Sequence, residues 1–196
     1  MFINMKPTTE RQFFLILLST LLYYSVARDI ISPTQSLADG ELLVSAGGSF
    51  ALGFFSPKNS TKRYIGIWFN KITVQTAVWV ANRRNPTTGN ATSLMITPQG
   101  TLTIIDHNST VIWSMASTTV NNPIAQLLDT GNFVVRDANS NRADSFSWQS
   151  FDYPTDTLLP GMKLGWDLKA RLSCNLSRIP LQGPSALRLT STGVIN

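Results

Sequence analysis

The chain has 196 residues and a formal net charge of +5, and only 14% of it is charged, against roughly 25% in an average soluble domain. No Lys/Arg run exceeds the pairs Lys62-Arg63 and Arg83-Arg84. The clustered basic face that nucleic acid requires is therefore missing, and scattered solvated charge is the expectation, with anionic cell-wall or membrane surfaces as the other reading of the excess. A single cysteine, Cys174, excludes an internal disulfide and leaves a free thiol, an intermolecular partner or a truncated framework. No P-loop, zinc spacing or calcium loop occurs, so neither cofactor nor metal is implied.

The first elements read as a leader. Lys6 and Arg11 precede an apolar stretch over 13–24 that only Ser19 and Thr20 interrupt, and Ser25-Val26-Ala27 offers small residues for cleavage. The stretch is shorter than the roughly 20 residues of a membrane span. Residues 1–27 are thus expected to be a signal peptide, with no later span and a mature chain secreted to the extracellular space. Loss of Lys6, Arg11 and Glu10 (two positive charges and one negative) takes the net charge from +5 to +4. What remains has the size of one domain and can bury roughly two-thirds of its unfolded surface without disulfides. Four glycosylation sequons fit that route, at Asn59, Asn90, Asn108 and Asn175, with Asn59 and Asn90 in the most loop-like surroundings; Asn85 is barred by Pro86.

Beyond residue 28 helical periodicity is nearly absent and short alternating runs follow one another. Residues 49–55 place Phe50, Leu52 and Phe54 on one face. Residues 64–69 place Ile65, Ile67 and Phe69 on one face, with Tyr64 and Trp68 on the other. Further strands are predicted over 77–81, 94–97, 101–106, 111–114, 124–128, 132–137 and 145–149. Turn chemistry separates them, at 47–48, 56–57, 85–86, 98–100, 121–123 and 129–131.

Three hairpins repeat one pattern. Aligning Gly48, Gly100 and Gly131 matches Val44, Ile96 and Leu127 before the turn, then Phe50, Leu102 and Phe133, then Leu52, Ile104 and Val135 after it. The glycine answers a hairpin position that needs φ > 0. A tryptophan follows each unit: Trp68 (with Trp79), Trp113 and Trp148. One such unit cannot bury its own face, so the three are expected to share a core around a pseudo-threefold axis filled by the indoles. A β-prism of three sheets or a β-trefoil satisfies this.

Tyr64-Ile65-Gly66-Ile67-Trp68-Phe69, Thr76-Ala77-Val78-Trp79-Val80-Ala81-Asn82-Arg83 and Leu127-Leu128-Asp129-Thr130-Gly131-Asn132-Phe133-Val134-Val135 resemble plant S-domain receptor-like kinases and S-locus glycoproteins. The run from Trp148-Gln149-Ser150-Phe151-Asp152-Tyr153-Pro154-Thr155-Asp156 to Gly161-Met162 is the most specific. The resemblance covers residues 28–169 and implies an all-β, bulb-lectin β-prism of three four-stranded sheets with pseudo-threefold symmetry. In full-length relatives an S-locus region, cysteine-rich modules, a membrane helix and a kinase follow; no kinase motif occurs here. Residues 170–196 depart from the family pattern and are expected to be a poorly ordered tail, as a truncated gene, a splice form or a gene-prediction artefact would produce. Bulb lectins often pair through exchanged C-terminal strands, which leaves homodimerisation open.

The family's mannose strand, Q-x-D-x-N-x-V-x-Y, lines one groove because residues two apart share a face. Carried over, the second repeat offers Thr97, Gln99, Thr101, Thr103 and Ile105, the third Leu128, Thr130, Asn132, Val134 and Arg136, and the first Ser45, Gly47, Ser49, Ala51 and Gly53. Only Asn132 and Val134 match, and the Asp is absent from all three; Asp129 has the wrong parity and is expected to begin the turn. The candidate carbohydrate positions are Gln99, Thr101, Thr130, Asn132 and Val134, and mannose binding is expected to be absent or very weak. An enzyme is not expected. His107 belongs to a turn, no serine lies in G-x-S-x-G, and Asp152 and Asp156 flank Pro154 in what reads as a structural closing segment. Two functions stay open: a lectin-like carbohydrate-recognition module, with glycans as partners, or a protein-recognition module that engages cell-surface receptor ectodomains. A non-functional truncated product is the third reading.

Overall fold

The computed structural model describes residues 28–73, 76–88, 92–115, 119–140 and 145–162, and the backbone of 166–167 and 172–173. The expected leader over 1–27, Asn90, Asn175, Cys174 and the residues beyond it lie outside the described residues.

In chain order the strands are β1 (Ile30–Ile31), β2 (Ser36–Ala38), β3 (Leu42–Val44), β4 (Phe50–Phe55), β5 (Lys62–Phe69), β6 (Ala77–Val80), β7 (Thr87–Thr88), β8 (Ser93–Ile96), β9 (Leu102–Ile105), β10 (Val111–Ser114), β11 (Pro123–Leu127), β12 (Phe133–Asp137) and β13 (Trp148–Gln149). A 3₁₀ turn follows at Ser150–Asp152, and β14 (Trp166–Asp167) pairs with β15 (Leu172–Ser173). Three antiparallel sheets result: β3-β4-β5-β6, β10-β9-β8-β2 and β1-β11-β12-β13, called here the first, second and third. The first departs from a plain four-stranded sheet, because β7 also pairs with the start of β5. The fold is all-β, a prism of three sheets around one core.

Alternation explains the packing. Phe50, Leu52, Phe54, Ile65 and Ile67 from the first sheet meet Leu94, Ile96, Leu102 and Ile104 from the second and Ala125, Leu127, Phe133 and Val135 from the third, with Phe69 at the margin. At roughly 1.5–3 kcal/mol per large side chain buried, this shared interior is the main source of stability. β1, β2 and β7 are not among the expected strands, being too short to show a period, and β3 is expected only as the strand that leads into the first turn. β1, β2 and β3 each add an edge strand to a different sheet, so residues 30–44 stitch the three together.

The three turn glycines have φ of 70°, 93° and 82°, the left-handed geometry expected of them. The repeat is less regular before the turn. Ile96 pairs with Leu102 and Leu127 with Phe133, but in the first hairpin Val44 pairs with Ala51 and Leu43 with Leu52. Ser49 is one residue extra, and the Ser45 hydroxyl accepts the N–H groups of both Ser49 and Phe50, at 3.1 Å each. Leu43, and not Val44, therefore faces the core.

The tryptophans also divide. Trp79 and Trp148 lie in the core, edge to face at 6.0 Å, and Trp113 packs at its margin. Trp68 does not fill the axis: it belongs to a separate cluster with Ala51, Phe55, Tyr64, Ala77 and Val80 on the outer side of the first sheet. This was already implicit in its parity with Tyr64. Strand 145–149 shortens to β13, and the other predicted strands shift by at most two residues at an end.

Candidate functional site

The five candidate carbohydrate residues do not form one constellation. Gln99 and Thr101 belong to the turn of the second sheet, and Thr130, Asn132 and Val134 to the turn and strand of the third. Each groove is described on its own.

In the third sheet, Phe133 and Val135 point inward, so Asn132, Val134 and Arg136 share the outer face. Asn132 is 5% exposed. Its Nδ2 donates to Gln149 Oε1 at 2.9 Å, and its Oδ1 accepts from the Ser150 hydroxyl at 3.2 Å and the Phe151 N–H at 3.3 Å. Ser150 in turn accepts the Phe133 N–H at 2.9 Å. Val134 lies opposite Gln126 on one side and Gln149 on the other and is completely buried. Both glutamines are pinned. Gln126 donates to Asp29 at 2.9 Å and accepts from Arg136 Nε at 3.0 Å, and Gln149 donates to Asp152 at 3.0 Å. The face is closed by its own side chains. The polar atoms of Asn132 are thus engaged within the chain, and Val134 has no exposed surface. Thr130 is exposed, and its hydroxyl accepts the Asn132 N–H at 3.4 Å.

In the first sheet the groove positions are filled by aromatics. Ala51 is fully buried beneath the Phe55, Tyr64 and Trp68 cluster, where Phe55 meets Tyr64 at 5.8 Å and Trp68 at 6.3 Å between ring centroids. A Cβ on Gly53 would fall 2.5 Å from Leu42 Cδ2 and 3.3 Å from the Trp68 indole. The second sheet has a hydroxyl-lined strip. Thr97 accepts the Thr101 N–H at 3.1 Å, Thr103 is 8% exposed, and the Gln99 side chain is exposed while its carbonyl takes the Val120 N–H at 3.2 Å. No carboxylate or amide lies on that strand face beside Gln99.

Asp129 occupies its turn as expected, and does more. Its Oδ1 accepts the Gly47 N–H at 2.7 Å, tying the turn of the third sheet to that of the first. A Cβ on Gly47 would stand 2.9 Å from that oxygen, so a larger residue there must push the Asp129 carboxylate off its bond.

The segment after β13 is a clasp. Tyr153 stacks on Trp148 at 5.8 Å and its carbonyl accepts Trp79 Nε1 at 2.9 Å. Thr155 Oγ1 accepts the Val80 N–H at 2.9 Å, and the Thr157 N–H donates to Val78 O at 3.2 Å. The clasp thus satisfies the outer edge of β6, which would otherwise be open. Arg83 is not a solvated charge: its Nη2 bonds Asp156 Oδ1 at 2.6 Å, with side chains 12% and 7% exposed. Burial pulls the Arg83 guanidinium below its ordinary value, while Asp156 and then Tyr64 oppose that shift. Asp152 and Asp156 thus face different partners, Gln149 and Arg83, and the pair holds structure.

Sequence reasoning missed Asn82, 1% exposed. It accepts the Ile65 N–H at 2.9 Å and donates to the carbonyls of Arg63 and Asn85, at 3.2 Å each. An asparagine directly after a buried β-run was the available signal. Asp39 and Arg63, an ion pair between corners of two sheets, had no such signal. His107 is an exposed turn residue, and among the described residues no cluster of His, Cys, Asp or Glu could hold a metal. No described helix is long and apolar enough to cross a membrane.

Three sheets built on repeated glycine-turn hairpins, closed by a tryptophan-led clasp, define a lectin-type β-prism. The chain belongs to the D-mannose binding lectin family, whose sequence model matches residues 76–178, more than half of it. Over 162 residues it is 44% identical to receptor-like serine/threonine-protein kinase SD1-8 of Arabidopsis thaliana, covering 80% of this chain and 19% of that one. Over 167 residues it is 44% identical to S-locus-specific glycoprotein S6 of Brassica oleracea, covering 82% and 38%. The chain thus spans about a fifth to two fifths of the length of these relatives. Among solved structures, a monomeric mannose-binding lectin from Gastrodia elata is 21% identical with a TM-score of 0.45, over 62% of this chain and 96% of that one. The mannose-specific agglutinin of snowdrop is 16% identical with a TM-score of 0.45, over 61% and 99%.

Proposed function

We propose that this chain is a secreted, non-enzymatic recognition module, lectin-like in fold and kin to receptor-kinase ectodomains, whose mannose grooves are degenerate. The observation that carries the reading is Asn132: the one polar residue matching the mannose pattern is buried and bonded to Gln149, Ser150 and Phe151. A groove that must first break such bonds loses about 1–3 kcal/mol for each partner left unmet, which a weak monosaccharide site cannot spare. In this reading residues 1–27 are the leader, 28–169 the lectin domain and 170–196 a divergent tail.

The ligand is then a glycan held elsewhere on the prism, or the surface of a receptor ectodomain. The second is supported only through the weakness of the first: on the outer side of the first sheet Ala51, Phe55, Tyr64 and Trp68 are packed together and buried, leaving no open sugar groove. A glycan array probed with the secreted protein, with free mannose as competitor, tests the proposal. Binding to non-mannose glycans supports the carbohydrate reading, and silence from folded protein directs the search to receptor ectodomains. Array binding abolished by mannose contradicts the degenerate-groove reading.

A further inference from the structure

We propose that Asn108 carries an N-linked glycan that screens the open edge of β10 and keeps the protein from self-associating. This rests on the secretory route proposed above. Asn108 is exposed in the turn between β9 and β10. The Asp106 carboxylate accepts the N–H groups of Asn108 at 2.9 Å and Thr110 at 2.8 Å, and Ser109 has φ of 61°. All three residues of the sequon thus stand in a fixed turn at the surface.

β10 begins at the next residue. Val111 is 56% exposed, the most exposed of the large apolar residues described. Among the described residues β10 pairs with β9 alone and ends the second sheet, so its other side is an open strand edge there. Such an edge is a template for pairing with another chain unless a charge, a proline, a bulge or a covering group blocks it. Residues 111–114 contain no charge and no proline. A register shift lies between Val111 and Trp113, and Asn85 Nδ2 caps the Ile112 carbonyl at 2.7 Å. Both devices act at the middle of the strand and leave the Val111 end uncovered. A glycan three residues before Val111 supplies bulk and hydration at that end.

Asn59 provides the internal comparison. It too is exposed in a turn, with φ of 61°, but its turn joins β4 to β5, which are interior strands of the first sheet. The start of β5 beside that turn is already paired with the short β7, so a glycan there has less open edge to screen.

The test is to secrete the protein from a eukaryotic host, map both sites by glycopeptide mass spectrometry, and measure oligomeric state by size exclusion with light scattering. Occupied Asn108, with loss of monomer in Asn108→Gln but not in Asn59→Gln, is the expected result. The double variant Asn108→Gln/Val111→Lys should regain the monomer, because a lysine on the edge replaces the screen. Enzymatic deglycosylation of folded wild-type protein should reproduce the loss of monomer, so the outcome does not depend on how Asn108→Gln folds. A bare Asn108 beside an occupied Asn59 overturns this proposal while leaving secretion standing. Secreted protein with both sites bare overturns this proposal alone, whereas a chain that never reaches the medium overturns the secretory reading it rests on. A deglycosylated protein that stays monomeric contradicts the screening role.

Discussion

Asn132 is where the family's sugar chemistry and this chain's packing meet, and the packing has taken the side chain. Asn132→Ala removes the partner of Gln149, Ser150 and the Phe151 N–H. The expected cost is about 1–3 kcal/mol in urea unfolding. Unchanged stability would leave the asparagine free for a ligand. Gly47 and Asp129 form a second unit of the same scale. Gly47→Ala should destabilise by about 1 kcal/mol through lost hydrogen bonding, since the added Cβ displaces the Asp129 carboxylate. In an Asp129→Ala background most of that cost should vanish, and a double-mutant cycle reads it directly. Asp106 gives the pH dependence. The Thr110 N–H, followed by desolvation in the opposite sense and then the Asn108 N–H, holds its carboxyl below the ordinary value. A lowered folded-state value means stability is present above the unfolded-state value and lost as pH falls through the lowered one. Thermal melts across the acid range should therefore show a shallower acid limb in Asp106→Asn than in wild type.

Among the elements, the clasp after β13 decides most. It spans two sheets: Trp148 and Ser150 belong to the third, while Thr155, Asp156 and Thr157 bind the β6 edge and the Arg83 corner of the first. Asp156→Asn leaves Arg83 buried without its counter-charge and should cost about 3 kcal/mol. Replacing both, as Arg83→Met/Asp156→Leu, should recover much of that loss, because an apolar pair needs no desolvation of charge. No loss in Asp156→Asn would show that the clasp is held by its bonds to Trp79, Val80 and Val78 without the ion pair. The role of this segment was legible in part. The run from Trp148 to Met162 stands out by resemblance, but nothing in the chain says that Asp156 seeks an arginine 73 residues away. The core strands were legible because alternation is a local signal. β1, β2 and β7 were not, because strands of two or three residues are defined by the sheets they join. The slip at Val44 has a similar origin: the extra residue is visible only against the partner strand.

Over the whole molecule, the three hairpins keep their core positions and diverge on their outer faces. The inward triplets Phe50, Leu102, Phe133 and Leu52, Ile104, Val135 all reach one interior, which is why the pseudo-threefold repeat could be read from glycine spacing. The outer faces have become an aromatic layer, a threonine strip and a closed polar network. The departure from the mannose pattern is legible in the chain, whereas the polar network across the third outer face is not. Gln126 and Gln149 come from neighbouring strands, and their pinning by Asp29 and Asp152 requires the fold.

The most direct measurement of the closed groove is an NMR titration of the folded protein with mannose, following the side-chain amides of Asn132, Gln126 and Gln149. The predicted result is that these resonances stay in place through millimolar sugar. A saturable shift of the Asn132 amide, lost in Asn132→Ala protein that remains folded, would contradict it.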